Sequence, residues 1–429
     1  MARGIGKTPH LFVAYAVLFL AHAAGGQAIP VLPDPMKVNE IETQAALLDL
    51  TAPQQEVVLE TYDRYLDSYA RVRDRDIKAF EDSLTNLAGR FGFMQFDVPQ
   101  RSELERIVAL GVRAMDRINV VDGSYFDEVS GMCSEPQQRM LARVRLNREL
   151  DSYRLVALPL TRDLNRGASV HMTQLVEQID LDDPSPEVEV LLESYEKRYI
   201  AGARDVFDGV LEVITIVLDI VDEIGIRDME QQEMFMLMAD QEFQESMKSR
   251  VDTITEPLQR VAFALSQLNW RTWNSLVGAL PTDAAEELTI LYFQKGFSRA
   301  MRGFRGLERR FERALALDEL TEAQAKSIAA LQGDFRRRFL RVARGHAEHL
   351  EKSREFRTMA QFTGEVAGEH DKAIETAEEQ RDSIVESTER QLDGLLGPTL
   401  LAQLEEKKEK RTKKSSETVV VVSSDGAEV

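Results

Sequence analysis

One short phrase, a large apolar residue, an apolar residue three positions on and a glycine two beyond that, is written three times in this chain. The copies are Phe126-Asp127-Glu128-Val129-Ser130-Gly131, Trp273-Asn274-Ser275-Leu276-Val277-Gly278 and Leu392-Asp393-Gly394-Leu395-Leu396-Gly397. Each reads as the last turn of a helix, with the glycine expected just past its end at φ > 0, where a Cβ is strained. Helix-start signals follow within about four residues in the first two copies, at Ser134-Glu135-Pro136-Gln137 and at Thr282-Asp283 with Glu286, and at once in the third, at Pro398-Thr399. The phrase therefore marks a corner between two helices. A chain punctuated in this way is confined to repeated helical folds.

A second phrase lies upstream of each corner. Leu48-Asp49-Leu50-Thr51 leads into Tyr62 and Tyr65, Ile179-Asp180-Leu181 leads into Tyr195 and Tyr199, and Leu317-Asp318-Glu319-Leu320 leads into Phe335 and Phe339. Leu50, Leu181 and Leu320 are 131 and 139 residues apart, and the three corner glycines are 147 and 119 apart. Two phrases with similar periods predict an all-α protein, an elongated array of three irregular, degenerate helical modules. The expected boundaries are a signal peptide at 1–23, an N-terminal linker at 24–47, modules at 48–178, 179–317 and 318–404, and a disordered charged tail at 405–429.

Thr51-x-x-Gln54 and Thr321-x-x-Gln324 have the spacing of capping boxes, in which the hydroxyl serves the amide three residues on and the Gln side chain returns to the cap amide. With the preceding leucines they spell L-T-x-x-Q at Leu50–Gln54 and Leu320–Gln324; the middle module departs, with Leu181-Asp182-Asp183-Pro184-Ser185. On these residues the chain resembles the LTxxQ-motif family of extracytoplasmic helical proteins, which includes the Spy-like periplasmic chaperones. The resemblance implies helical architecture, an extracytoplasmic compartment and binding of protein clients.

The N-terminus points to the same compartment. Arg3 and Lys7 precede the apolar run Leu11–Leu20, and Ala21-His22-Ala23 has the small-x-small pattern of a cleavage site, as in a secretory signal. The run is shorter than the roughly 18 to 20 residues a membrane span needs. Cys133 is the sole cysteine and so cannot form an internal disulfide. It reads as a small apolar residue of the first corner.

The net charge of −20 argues against nucleic acid as a partner, but it is unevenly spread. Residues 205–256 hold 14 acids against Arg227, Lys248 and Arg250, whereas residues 295–357 hold 16 bases against nine acids. In the basic stretch Arg299, Arg302, Arg305, Arg309 and Arg313 recur at helical spacing, with Met301, Phe304, Leu307 and Phe311 opposite, which predicts an amphipathic helix with an arginine face. That face is solvated, docks on the acidic middle of the chain, or meets an acidic client, an anionic envelope polymer or lipid. Met234, Met236 and Met238 offer either adaptable core or a pliable contact surface.

Signatures of catalysis are missing from the sequence: it holds no G-x-x-x-x-G-K-[ST], G-x-S-x-G, C-x-x-C or H-E-x-x-H. His346 and His349, one helical turn apart, could share a metal or a proton, but they sit on the same face as Phe335, Phe339, Val342 and Leu350, where a half-buried or partner-facing histidine is the expected outcome. The expectation is thus a non-enzymatic extracytoplasmic binding protein without cofactor or metal. It would hold protein clients without ATP, with a self-associating envelope scaffold as the alternative.

Overall fold

The computed structural model describes residues 32–90, 99–154, 165–179, 181, 184–225, 229, 233, 236–237, 240–363 and 368–422. Among them every regular element is a helix, so the all-α class is correct. The expected signal peptide lies outside the described residues. The chain divides into two compact units, Met1–Ala285 and Glu286–Val429. Neither expected module boundary, at 178/179 or at 317/318, coincides with that division.

The first unit begins with α1 (Val38–Leu47), α2 (Ala52–Val72), a π-helical turn at Arg73–Ile77 and α3 (Lys78–Arg90). Then come α4 (Arg101–Ser130), α5 (Glu135–Arg154), the short α6 (Met172–Val176), α7 (Pro186–Ile224) and α8 (Gln241–Ala279). The last turn of α1 shows how local chemistry sets a boundary. Leu50 N donates to Ala45 O and Asp49 N to Ala46 O, the paired bonds of a Schellman end. The left-handed residue this end demands is Asp49, at φ 47°, a residue type that tolerates the conformation better than most. Because Met36 and Ile41 are buried, the expected linker at 24–47 is in its described part a packed element.

Helix α2 buries Val58, Tyr62, Tyr65, Tyr69 and Val72, a stripe at three- and four-residue spacing, against Ile107, Ala114, Ile118 and Phe126 of α4. Helices α7 and α8 run antiparallel: Tyr195 meets Asn269, and a Cβ on Gly202 would meet Leu265 at 2.5 Å and one on Gly209 would meet Leu258 at 2.7 Å. Those two glycines allow the close approach. Their caps are local, Ser185 Oγ accepting from Val188 N at the start of α7 and Asp240 Oδ1 from Phe243 N at the start of α8.

The division falls within α9 (Thr282–Gly296). The second unit continues with α10 (Phe304–Leu315), α11 (Glu322–Thr363) and α12 (Gly368–Val422). Its core stacks Phe304 and Phe311 of α10 on Phe335 and Phe339 of α11, with Ile374, Ala377, Thr388 and Leu392 contributed by α12. The backbone of α12 is helical through 405–422, where a disordered tail was expected. Residues 423–429 lie outside the described residues.

Two of the three corner glycines behave differently from expectation. Gly131 caps α4 at φ −61°, in the right-handed region, and Gly278 lies in the last turn of α8 without positive φ. Only Gly397 has positive φ, at 68° with ψ 173°, and there it breaks α12 in front of Pro398. Corners one and two need only a helix stop, because Leu280 and the Met132–Cys133 turn leave the helix on ordinary backbone.

The two sequence phrases nevertheless meet in space. In the first unit the Gln54 amide, besides closing its cap, donates to Met132 O at 2.9 Å and to Gln137 Oε1 at 3.2 Å. Gln137 closes the Ser134 cap and donates back to Leu48 O at 3.1 Å. In the second unit Gln324 closes the Thr321 cap and donates to Leu395 O at 3.1 Å. Each L-T-x-x-Q glutamine thus satisfies a carbonyl at a corner phrase.

A second contact recurs nine residues before the corner glycine. Asp122 accepts from Tyr65 Oη at 3.0 Å and from Arg148 Nε at 2.7 Å, while Arg148 Nη2 donates to Asp34 O. Asn269 does both jobs alone: its Oδ1 accepts from Tyr195 Oη at 2.9 Å and its Nδ2 donates to Gly167 O and Val170 O. The tyrosine hydroxyls also accept from backbone, Tyr65 from Met36 N and Tyr195 from Met172 N. At the same offsets in the second unit stand Phe335 and Thr388, an apolar pair in place of a hydroxyl and its acceptor.

Candidate binding surfaces

The arginine face is anchored by the apolar side of α10, where Phe304, Leu307, Phe311 and Ala314 are buried. Its extent differs from expectation. Gly303, at φ 88°, starts the helix at Phe304, so Arg299 and Arg302 lie in the preceding turn and only Arg305, Arg309 and Arg313 belong to α10. Arg299 is also occupied, because Glu378 holds its guanidinium at 2.7 and 3.2 Å, a bond that holds the Glu378 carboxyl below its ordinary pKa. Arg302, Arg305 and Arg309 are exposed, and none of them has a carboxylate partner among the described residues. Arg305 donates to Gln294 and Arg313 to Arg309 O, both neutral acceptors. Arg310, which the periodicity places off this face, is the residue committed to acids, pairing with Asp393 at 2.7 Å and Glu389 at 3.6 Å.

A groove that the sequence reading did not pick out lies between α4 and α7, with a volume of about 600 Å³. Val108, Val112 and Val120 of α4 face Ile214 and Leu218 of α7 across it, and Val120 is 61% exposed. Its rim carries both signs, from Glu105, Arg113, Asp116 and Arg117. One end is closed by Arg101, which joins Glu105 of α4 to Asp219 and Asp222 of α7 at 2.6 to 3.0 Å. Near the other groups Arg113 reaches Asp76, a carboxylate buried in the π-helical turn and also held by Arg75 at 2.7 Å. Only its α7 wall had a sequence signal: Val210–Val221 is the most apolar stretch beyond the N-terminus, interrupted by Glu212 and Asp219.

Of the methionine run, Met236 is exposed, which fits a contact surface better than core, while Met234 and Met238 lie outside the described residues. His346 is fully buried, and neither ring nitrogen has a hydrogen-bond partner among the described residues. Burial lowers its pKa from the ordinary 6.5 to about 4. The His349 and His370 rings lie tilted to one another, at 6.0 Å between centroids, and among the described residues no group of three or more His, Cys, Asp or Glu has metal-holding geometry. Cys133 is buried, and burial raises its thiol pKa, so it packs as a small apolar group.

The buried tyrosines are structural in the same sense. Desolvation pushes Tyr69 up to about 12 and raises Tyr65 and Tyr125 further. Asp122 is also raised by desolvation, which outweighs the opposing pull of Arg148. No described helix is long and apolar enough to cross a membrane. Compared with known protein families, curated proteins and solved structures, the chain matches none of them.

Proposed function

We propose that this chain is a non-enzymatic, extracytoplasmic binding protein built from a triplicated helical module, and that it holds partly unfolded or extended polypeptide clients without ATP. The observation that carries this reading is the α4–α7 groove, a standing apolar surface ringed by charges of both signs. Open apolar patches rimmed in this way mark interaction surfaces, and mixed rim charge tolerates many sequences. The arginine face of α10 and the turn before it supplies long-range attraction for acidic clients, because among the described residues no carboxylate engages Arg302, Arg305 or Arg309. The L-T-x-x-Q resemblance and the N-terminal signal pattern support an activity outside the cytoplasm.

The test is suppression of aggregation of a denatured acidic protein by the purified chain, with no nucleotide added. Val112→Glu together with Val120→Glu should remove most of the protection by charging the groove floor. Arg302, Arg305 and Arg309 replaced together by Gln should slow capture, as should raising salt from 50 to 500 mM, which shortens the Debye length from about 14 Å to about 4 Å. A chain that gives no protection at several-fold excess and instead assembles into defined oligomers would establish the scaffold role.

A further inference from the structure

We propose that a second groove, between α7 and α8, binds a small anionic amphiphile, a long-chain carboxylate whose head group sits between Arg198 and Arg271 and whose tail lies on Leu268 and Phe263. The groove has a volume of about 510 Å³, inside the range of about 300 to 1,000 Å³ usual for small-molecule sites. Its two walls are single helix faces. Leu191, Ser194, Tyr195 and Arg198 recur at three- and four-residue spacing on α7, and Phe263, Gln267, Arg271 and Ser275 recur every four residues on α8.

The walls are fixed before any ligand arrives. Tyr195 is held by Asn269 and by Met172 N, and Gly202 brings α8 close at the Phe263 end of the groove. A preformed wall spares the ligand the cost of ordering it.

The two cations decide the ligand's charge. In a chain of net charge −20, Arg198 and Arg271 are exposed and have no ion pair or hydrogen bond among the described residues. The nearby carboxylates are already taken, Glu193 by Lys197 at 2.7 Å and Glu196 by Arg143 at 3.2 Å. Guanidinium groups match a carboxylate's two oxygens geometrically. An uncharged ligand would leave both arginines unused, and a cation would be repelled. Since this groove and the α4–α7 groove share no lining residue, the proposal does not rest on client holding.

The experiment is calorimetric titration of the full chain with dodecanoate below its micelle concentration, with dodecanol as the uncharged control. Dodecanoate should bind saturably at about one per chain and at least tenfold more tightly than dodecanol. Arg198→Gln with Arg271→Gln should lose at least tenfold in dodecanoate affinity while keeping the dodecanol affinity and the helical circular dichroism. Ser194→Trp, which fills the groove and keeps both arginines, should abolish binding of both and decides the matter should the double variant misfold. Equal affinity for dodecanoate and dodecanol, unchanged affinity in either variant, or binding only to anionic vesicles would overturn the proposal.

Discussion

Lowering the pH should unlock the second unit through His346. The ring sits on α11 with His349 on the same helix, Glu378 and Arg381 facing it from α12, and Arg299 from the turn before α10. Glu378 favours the imidazolium, but it is already engaged by Arg299, and Arg381 is itself 2% exposed. Desolvation is therefore the leading cause of the fall from 6.5 to about 4. Above pH 6.5 both folded and unfolded chains hold the ring neutral and the group costs nothing. As pH falls through the window from 6.5 to about 4, the unfolded chain takes up a proton that the folded chain refuses, so stability is lost across that window. At 1.36 kcal/mol per pH unit the full loss is about 3 kcal/mol, and about 2 kcal/mol is gone by pH 5. Urea unfolding of the full chain and of His346→Leu at pH 7.5 and pH 5.0 isolates the contribution, with amide hydrogen exchange in α11 and α12 as the local readout. The wild-type chain should lose about 2 kcal/mol more between the two pH values than His346→Leu does. An imidazole resonance titrating near 6.5, or equal losses in the two proteins, would refute the argument.

Other outcomes follow from backbone and network. Gly397→Ala should destabilise by about 1 to 3 kcal/mol, because φ 68° with ψ 173° is a region only glycine occupies readily. Gly278→Ala, with open space around it and no positive φ, should stabilise by about 0.4 to 1 kcal/mol; thermal melts of the two variants should therefore move in opposite directions. Asp122→Ala leaves the nearly buried Arg148 without its neutralising carboxylate and should cost about 3 to 5 kcal/mol. Asn269→Ala, which strands only neutral groups, should cost less, about 1 to 3 kcal/mol, and denaturant midpoints will rank them.

What could be read from the sequence was what local chemistry determines. Thr51, Gln54, Thr321 and Gln324 are capping residues within one turn of backbone, so their pattern and their structure agree. The corner phrase reported a helix end but not its backbone sign, since the apolar pair that closes a last turn is the same whether the chain leaves through left-handed or ordinary φ/ψ. Periodicity likewise carried the arginine face too far: the count from Arg299 to Arg313 is helical in step, yet Gly303 resets the helix in the middle. The two grooves were out of reach for another reason. Val112 and Ile214, or Arg198 and Arg271, become neighbours only when α4, α7 and α8 are packed, and no spacing rule links positions that far apart.

The glutamine clasps bear on how the chain matures. Gln54 and Gln137 are 83 residues apart, and Gln324 and Leu395 are 71 apart. During synthesis each L-T-x-x-Q helix can begin with its local cap alone, but its register against the partner helix waits for sequence made much later. The two closures face nearly the same loop entropy, differing by about 0.1 kcal/mol. A nascent or truncated chain ending before Met132 would keep helix α2 and lack the carbonyl that fastens it. Its tyrosine stripe is uncovered only until α4 is made, because Ile107, Ala114, Ile118 and Phe126 are what bury it, so the interval between α2 and α4 is the period in which this protein most needs shelter itself.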